Sequence, residues 1–309
     1  LVNVGLTELG QGSTAAYRQI VAERLGFRLD QVVVTVEKDT DRDPYDWQTV
    51  ASKGLMLTGN ACILAAEDLL RRGYEVAAQA LRASTADLTH DADRIWIVHR
   101  PAESVTWAAL SIGYTCPNGN GIGGPLIGVG RYIAQGLSNL DKETGQGYPA
   151  LDWTYGAHGV IAEVDPETGE YKVLKVSSAF DVGKAINPDM VRGQAVGGMI
   201  QGLGTAVCEG YIYDKQGHLL NPSFTDNKIP TAKDLPEEIE TVVVETPQPD
   251  GPYGARGVGE HPMISVAPAL GNAIQAAVGA ELTHMPIRAE DVWRAMGNKE
   301  PIDNWITKT

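Results

Sequence analysis

The chain has 309 residues, 43% of them hydrophobic, which is enough for two domains of ordinary size around a substantial core. A net charge of −14 argues against nucleic acid or an anionic membrane surface as a partner. No apolar run reaches the length of a membrane span, and Leu1-Val2-Asn3-Val4 lacks the basic region and apolar core of a signal peptide, so a cytoplasmic location is expected.

Leu1 opens without a methionine and on strand-like alternation, so either residues are missing or the chain is one piece of a larger fold. The loop Thr7 to Ser13 leads into a helix with Ala16, Tyr17, Ile20, Val21 and Leu25 on one stripe, closed by Gly26. Ser13 or Thr14 suits its N-cap. Backbone N–H groups at such a helix start make a ready anion or phosphate site, although a plain strand–loop–helix connection reads equally well. Gln31 to Val36 reads as a strand with Val32, Val33, Val34 and Val36 buried. The polar, irregular stretch 39–47 follows, then a helix from about Leu57 to Arg72 stopped by Gly73, and a second from Glu75 to Leu88. Ile95 to Val98 is a short strand. Two βα units in sequence imply a mixed α/β, or α+β, architecture.

Periodicity disappears from Tyr114 to about Thr154. Gly119 to Gly124 formally fits GxGxxG, but Pro125 follows at once, with no helix opening, which rejects a dinucleotide site. The expected organisation is therefore a first half over 1–115, a loop or linker over 116–154, and a second half of similar size over 155–309. That second half opens with a hairpin, 158–164 and 171–179, around Asp165-Pro166-Glu167-Thr168-Gly169-Glu170. A Gly- and Ala-rich helix from about Pro188 to Thr205 carries Gln194 and Gln201. A hairpin around 211–220, a strand over 239–245, an apolar helix to Val278 kinked at Pro268 and a short helix over 288–296 complete the chain.

The 35 glycines concentrate at 117–130, 193–204 and 251–259, as if backbone there lay against something large and flat. The three cysteines, Cys62, Cys116 and Cys208, have no CxxC spacing and read as reduced thiols, with Cys62 and Cys208 packed and Cys116 on a loop. The six histidines show neither HxH nor HxxxH, so no protein-ligated metal is expected. The stretch Gly254-Ala255-Arg256-Gly257-Val258-Gly259-Glu260-His261-Pro262 places one carboxylate between an arginine and a histidine, at the end of a glycine run. Pro262 suits a first helical turn, and Glu260 would then sit at a helix N-terminus, whose dipole favours the ionised form a general base needs. A solvated glutamate in a Gly-rich loop is the alternative on these residues alone.

Four motifs in order carry a resemblance: Glu8-Leu9-Gly10-Gln11-Gly12; Thr49 to Gly54; Asp181-Val182-Gly183 through Asn187-Pro188 to Gly193-Gln194 and Gln201-Gly202-Leu203-Gly204; and Gly257-Val258-Gly259-Glu260. Together they resemble the C-terminal portion of the molybdopterin-binding subunit of the molybdenum hydroxylase family, over nearly the whole chain. The resemblance implies that family's molybdopterin-binding fold of two α/β halves. It also implies molybdenum carried by a molybdopterin cytosine dinucleotide, the metal held by the pterin dithiolene and not by side chains. Glu260 is then the base that takes a proton so that an oxygen from water can attack an electron-poor carbon. Gly10, Gln11 and Gly12 match a pterin or phosphate contact, and Ala51 and Ser52 a loop passing the pterin. Gln194 matches a further pterin-side contact, and Gly257, Val258 and Gly259 the backbone before the base. Arg256 or His261 would help keep Glu260 ionised.

The family's subunit is usually longer, and its N-terminal half, iron–sulfur and FAD modules have no counterpart here. The resemblance therefore implies one chain of a split molybdenum protein, as in nicotinate dehydrogenase, working with a larger molybdopterin subunit, a [2Fe–2S] subunit and an FAD subunit. An N-heteroaromatic acid or purine is the expected substrate. An aldehyde-oxidising member of the family, a non-catalytic scaffold, a fragment of a longer chain and an unrelated nucleotide-binding module are the competing readings. The last lacks a P-loop lysine or ribose-binding acid.

Overall fold

Tyr17, Ile20, Val21 and Leu25 recur at helical spacing and need an apolar partner. In the computed structural model, which describes residues 1–297, they form the buried face of helix α1 (Ser13–Leu25), packed on α2 (Gly54–Leu81). The two helices expected on either side of Gly73 are thus one helix of 28 residues. Gly73 is not a stop: a Cβ there would lie 2.5 Å from the Trp107 ring, so the glycine makes room for an indole. The helix ends where Arg82 turns left-handed, at φ 52°.

Three short antiparallel strands follow, β1 (Leu88–His90), β2 (Arg94–Ile97) and β3 (Arg100–Thr106), paired in that order. Leu88, Ile95, Ile97 and Val105 close a core with Val76 and Ala77 of α2 and Leu110 of the one-turn helix α3 (Trp107–Leu110). The His90 ring joins three elements, bonding Tyr74 Oη at 2.7 Å and the Leu25 carbonyl at 3.0 Å. β4 (Tyr114–Thr115) and β5 (Gly121–Ile122) form a minimal ladder. The strand expected over 31–36 reduces to one parallel bridge between Val2 and Val34. Val32 is buried there, but Val33 and Val36 are more than half exposed, because only one residue pair supplies a ladder partner.

Chain contacts group Leu1–Trp153 with Pro247–Gly257 as one compact unit, and Thr154–Thr246 with the described residues from Val258 on as a second. Residues 116–154 are mostly irregular and belong to the first unit, in which Gly128 and Gly130 lie on the backbone of α2.

In the second unit β6 (Tyr155–Val164) and β7 (Tyr171–Asp181) form the expected hairpin, and β8 (Glu238–Val244) pairs parallel to β7, giving the order β6-β7-β8. Parallel pairing requires a crossover, and helix α4 (Pro188–Val207) lies within it. Asn187 starts that helix, its side-chain oxygen accepting from Met190 N at 3.1 Å ahead of Pro188. The apolar helix expected to kink at Pro268 is instead broken at Ser265, into α5 (His261–Ile264) and α6 (Val266–Val278). Pro268 then falls in the first turn of α6, where a missing N–H costs nothing. The hairpin around 211–220 is a single bridge, Tyr213 to Leu219. Met199, Leu203, Val266, Leu270 and Ile274 meet Val176, Ile287 and Val292 of helix α7 (Ala289–Ala295) in a fully buried core. Cys62 is buried and its thiol pushed up to about 12 by burial, whereas Cys116 and Cys208 are half-buried. Among the described residues no helix is long and apolar enough to cross a membrane.

In an open helix interior, Gly73→Ala would gain about 1 kcal/mol of helix propensity. Packed against Trp107, it loses about 1–3 kcal/mol by overfilling, and a thermal melt followed by circular dichroism should move down.

Candidate active site

The expected site residues divide between the units: Gly10, Gln11, Gly12, Ala51, Ser52 and Gly257 belong to the first, and Gln194, Val258, Gly259 and Glu260 to the second.

In the first unit the loop before α1 is organised by a residue to which the sequence reading gave no separate role. The Glu8 carboxylate accepts from the backbone N–H groups of Gly10 (3.0 Å), Gly12 (2.9 Å) and Thr14 (2.9 Å) and from the Thr14 hydroxyl (3.1 Å). Gly12, left-handed at φ 83°, is the N-cap, not Ser13 or Thr14. The cradle of N–H groups expected for a phosphate is therefore filled from within the chain. Burial alone would raise the Glu8 pKa, but the bonds from Thr14, Gly12 and Gly10 outweigh it and lower the pKa below its usual value. The signal was present in sequence, as an acid six residues ahead of a Thr at a helix start with two glycines between them. Gln11 turns back on its own loop, Oε1 accepting from Leu9 N at 2.5 Å and Nε2 donating to the Thr7 carbonyl at 3.0 Å.

Thr49 Oγ1 accepts from Thr7 N and donates to the Thr7 carbonyl, both at 3.0 Å, which ties this loop to the 49–54 turn. There Ala51 and Ser52 are both left-handed, at φ 59° and 51°, a conformation that costs about 1–2 kcal/mol per side-chain-bearing residue. A Cβ on Gly257 would lie 1.6 Å from the Ser52 carbonyl oxygen, so the Gly257 backbone presses directly on that turn. Arg256, buried beside it, donates from Nε to Gln248 Oε1 at 3.1 Å and from Nη1 to the Trp153 carbonyl at 3.5 Å.

In the second unit Val258 packs on Phe180, Val182, Ala185 and Ala195, and the exposed Gly259 and Glu260 follow. Glu260 is the N-cap of α5, as expected, but α5 has four residues, so the dipole behind it is that of a single turn. α4 fixes where α5 lies. A Cβ on Gly198 would be 2.7 Å from Pro262 Cβ, and one on Gly202 2.4 Å from the Met263 carbonyl oxygen. Gly193 and Gly197 meet nothing within 4 Å, which leaves that face of α4 bare beside the half-buried Gln194.

Behind Glu260 two imidazoles meet Phe180 edge-on, His158 at 5.2 Å and His261 at 5.4 Å between ring centroids. His158 Nδ1 bonds Ser265 Oγ at 2.7 Å, and neither ring nitrogen of the buried His261 finds a partner among the described residues. Burial lowers the His261 pKa against the opposing pull of Glu260, and burial lowers that of His158 too. His261 is therefore neutral at pH 7 and cannot supply the positive charge expected of it beside Glu260. Among the described residues no three His, Cys, Asp or Glu side chains are grouped to hold a metal ion. A 400 Å³ cavity lined by Thr205, Glu209, Tyr211, Tyr213, Met285 and Arg288 contains none of the expected site residues.

Because the folded-state pKa of Glu8 is lowered, its contribution to stability is present above the usual carboxylate value of 4.5 and is lost as pH falls through the lowered one. Glu8→Gln should lower the melting temperature at pH 7, by about 1–3 kcal/mol of stability. The deficit should shrink as melts are repeated at pH values below 4.5. A constant deficit would show that the carboxylate charge is not what holds the loop. Gly202→Ala should also push α5 off α4 by overfilling, and a thermal melt followed by circular dichroism should show a loss of about 1–3 kcal/mol of stability.

The model of the molybdopterin cofactor-binding domain family matches residues 1–236. The carbon monoxide dehydrogenase large chain of Afipia carboxidovorans is 30% identical over 298 residues, covering 95% of this chain and 34% of that one. The xanthine dehydrogenase molybdenum-binding subunit of Escherichia coli O157:H7 is 32% identical over 290 residues, 93% of this chain and 36% of that one. Among solved structures, quinoline 2-oxidoreductase from Pseudomonas putida 86 superposes with a TM-score of 0.76 at 27% identity, covering 96% of this chain and 36% of that one. The chain thus spans about a third of the length of the relatives it matches. With the match running from Leu1 through the Glu8 loop, the Ala51–Ser52 turn and α4, the chain belongs to the molybdopterin cofactor-binding family of the molybdenum hydroxylases.

Proposed function

We propose that this chain is the base-carrying molybdopterin subunit of a split molybdenum hydroxylase. The enzyme would place an oxygen from water on an electron-poor carbon of an N-heteroaromatic substrate, nicotinate- or purine-like. The observation that carries this reading is the presentation of Glu260: an exposed carboxylate at the N-cap of a one-turn helix whose backbone is pinned by Gly198 and Gly202 of α4. Two of the relatives, by name, act on the N-heterocycles xanthine and quinoline, which supports this substrate class.

The residues fit a large flat group that brings its own metal ligands. In the second unit the bare face of α4 at Gly193 and Gly197, next to Gln194, offers a surface without side chains, and in the first unit the Ala51–Ser52 turn holds its backbone in a left-handed course. In this reading Gly10, Gln11, Gly12, Ala51, Ser52, Gln194 and Gly257 to Gly259 hold the pterin nucleotide, in its cytosine dinucleotide form. When bound, that molybdenum cofactor supplies the two-electron oxidation.

Glu260 takes a proton at a carboxylate oxygen from the attacking water-derived oxygen, and releases it afterwards. The adjoining His261 is held neutral by burial, with Phe180 against its ring, so it offers the carboxylate no positive charge. Electrons leave through partner chains carrying [2Fe–2S] clusters and FAD, and a larger molybdopterin subunit completes the site. A cytoplasmic setting suits three cysteines that form no disulfide.

Glu260→Gln in the assembled enzyme should leave molybdenum and pterin nucleotide content unchanged, by metal analysis and nucleotide release. Turnover should fall by at least about 10²-fold, the usual contribution of a general base. Turnover near wild type would remove Glu260 from the mechanism, and absence of both molybdenum and pterin from the native complex would remove the cofactor.

A further inference from the structure

The stretch after β5 is a strand in geometry without a sheet. A Cβ on Gly123 would meet Val76 at 2.7 Å, one on Gly128 the Ala65 carbonyl oxygen at 2.2 Å, and one on Gly130 the Ala61 carbonyl oxygen at 1.9 Å. The segment therefore runs antiparallel along α2. Seven extended residues at about 3.3 Å each, and fifteen helical residues at about 1.5 Å each, both come to roughly 23 Å, so the segment is fully extended there.

Burial alternates with period two from Pro125 to Ala134. Leu126, Gly128, Gly130, Tyr132 and Ala134 face inward, while Ile127, Val129 and Ile133 are 63%, 56% and 75% exposed. One edge is tied to α2, where Val129 N donates to Asp68 Oδ2 at 3.0 Å. On the other edge the amides of Gly128, Gly130, Tyr132 and Ala134 donate to no acceptor among the described residues, and no described strand pairs with this segment. The flanking sequence is depleted of charge, the nearby ion pairs of Asp68 with Arg71 and Arg72 belonging to α2. Residues 107–140 contain one charged side chain, Arg131, where the chain's 21% charged content would place about seven (0.21 × 34 ≈ 7). An unpaired edge, an apolar outer face and missing charge are together the marks of an obligate interface and not of a solvated loop.

We propose that residues 125–134 are a docking strand. A strand of the larger molybdopterin polypeptide pairs with the edge carrying the Gly128, Gly130, Tyr132 and Ala134 amides, and that polypeptide covers Ile127, Val129 and Ile133. The occupant follows from length: relatives of the family carry about two thirds of their chain beyond what is matched here, since the match covers 34% and 36% of them. The inference rests on the split-subunit reading above.

The test is hydrogen exchange by mass spectrometry on the complex purified from the native host through a tag on this chain, with its polypeptides identified by their peptides. In that complex the peptide spanning 125–135 should exchange at least about 100-fold more slowly than an unpaired chain. Ile127→Asp with Ile133→Asp should reduce recovery of the larger polypeptide by at least about tenfold, with the melting of this chain unchanged because both side chains point outward. Leu220→Asp, at a comparably exposed position of the second unit, should not reduce it. A larger molybdopterin polypeptide present with fast exchange at 125–135 overturns the docking strand alone. Its absence from the complex overturns the split-subunit reading as well. Protection in an assembly of this chain without it would give the strand to a second copy and overturn the occupant.

Discussion

Backbone lies directly on backbone in both units, and the arrangement of the functional loops depends on it. Gly257 rests on the Ser52 carbonyl, Gly202 on that of Met263, and Gly128 on that of Ala65, each so close that a single methyl group would occupy the space of an atom. The contacts are short because each removes the layer of side chains that normally separates two elements. Gly257 brings the last motif of the first unit onto the strained turn of Ala51 and Ser52. Gly198 and Gly202 bring α5 onto α4, so the position of Glu260 follows from a helix whose own course is set by the parallel pairing of β7 and β8. Glycine clusters that looked in sequence like a bed for a flat ligand are thus used in part by the chain itself, while Gly193 and Gly197 on α4, with Gly119, Gly121 and Gly124, are left bare.

Most elements could be read in advance where one local signal dominated. The β6–β7 hairpin follows from alternation around a Pro- and Gly-containing turn, and the start of α4 from Asn187 followed by Pro188. The misreadings occurred where a distant partner decided the outcome. Gly73 has the look of a helix terminator until Trp107, more than thirty residues on, is seen to fill the space over it. Val33 and Val36 have every propensity for a strand, but propensity is silent on whether a neighbouring chain is available to pair with. The kink expected at Pro268 falls three residues earlier, as a break at Ser265, a residue with no breaking signal of its own.

The candidate site was legible as a set of motifs and not as a set of contacts. Glu260 was identified from glycines and an adjoining proline, and it does sit at a helix start. Its electrostatic surroundings could not be anticipated, because the neutrality of His261 comes from its burial, with Phe180 of β7 against its ring. A histidine beside a carboxylate suggests an ion pair. Burial reverses that expectation, since an imidazolium with neither nitrogen bonded would cost more than its attraction to one exposed carboxylate returns.

Glu8 has a consequence for what the first unit will accept. A helix start preceded by two glycines would attract inorganic phosphate or sulfate from solution, and a chain awaiting its cofactor would then be blocked by the commonest anions of the cell. With the carboxylate tethered two to six residues from the donors it satisfies, the local concentration of this built-in anion exceeds any that solution provides. The loop is self-capped: it keeps its shape while empty, and it repels small free anions.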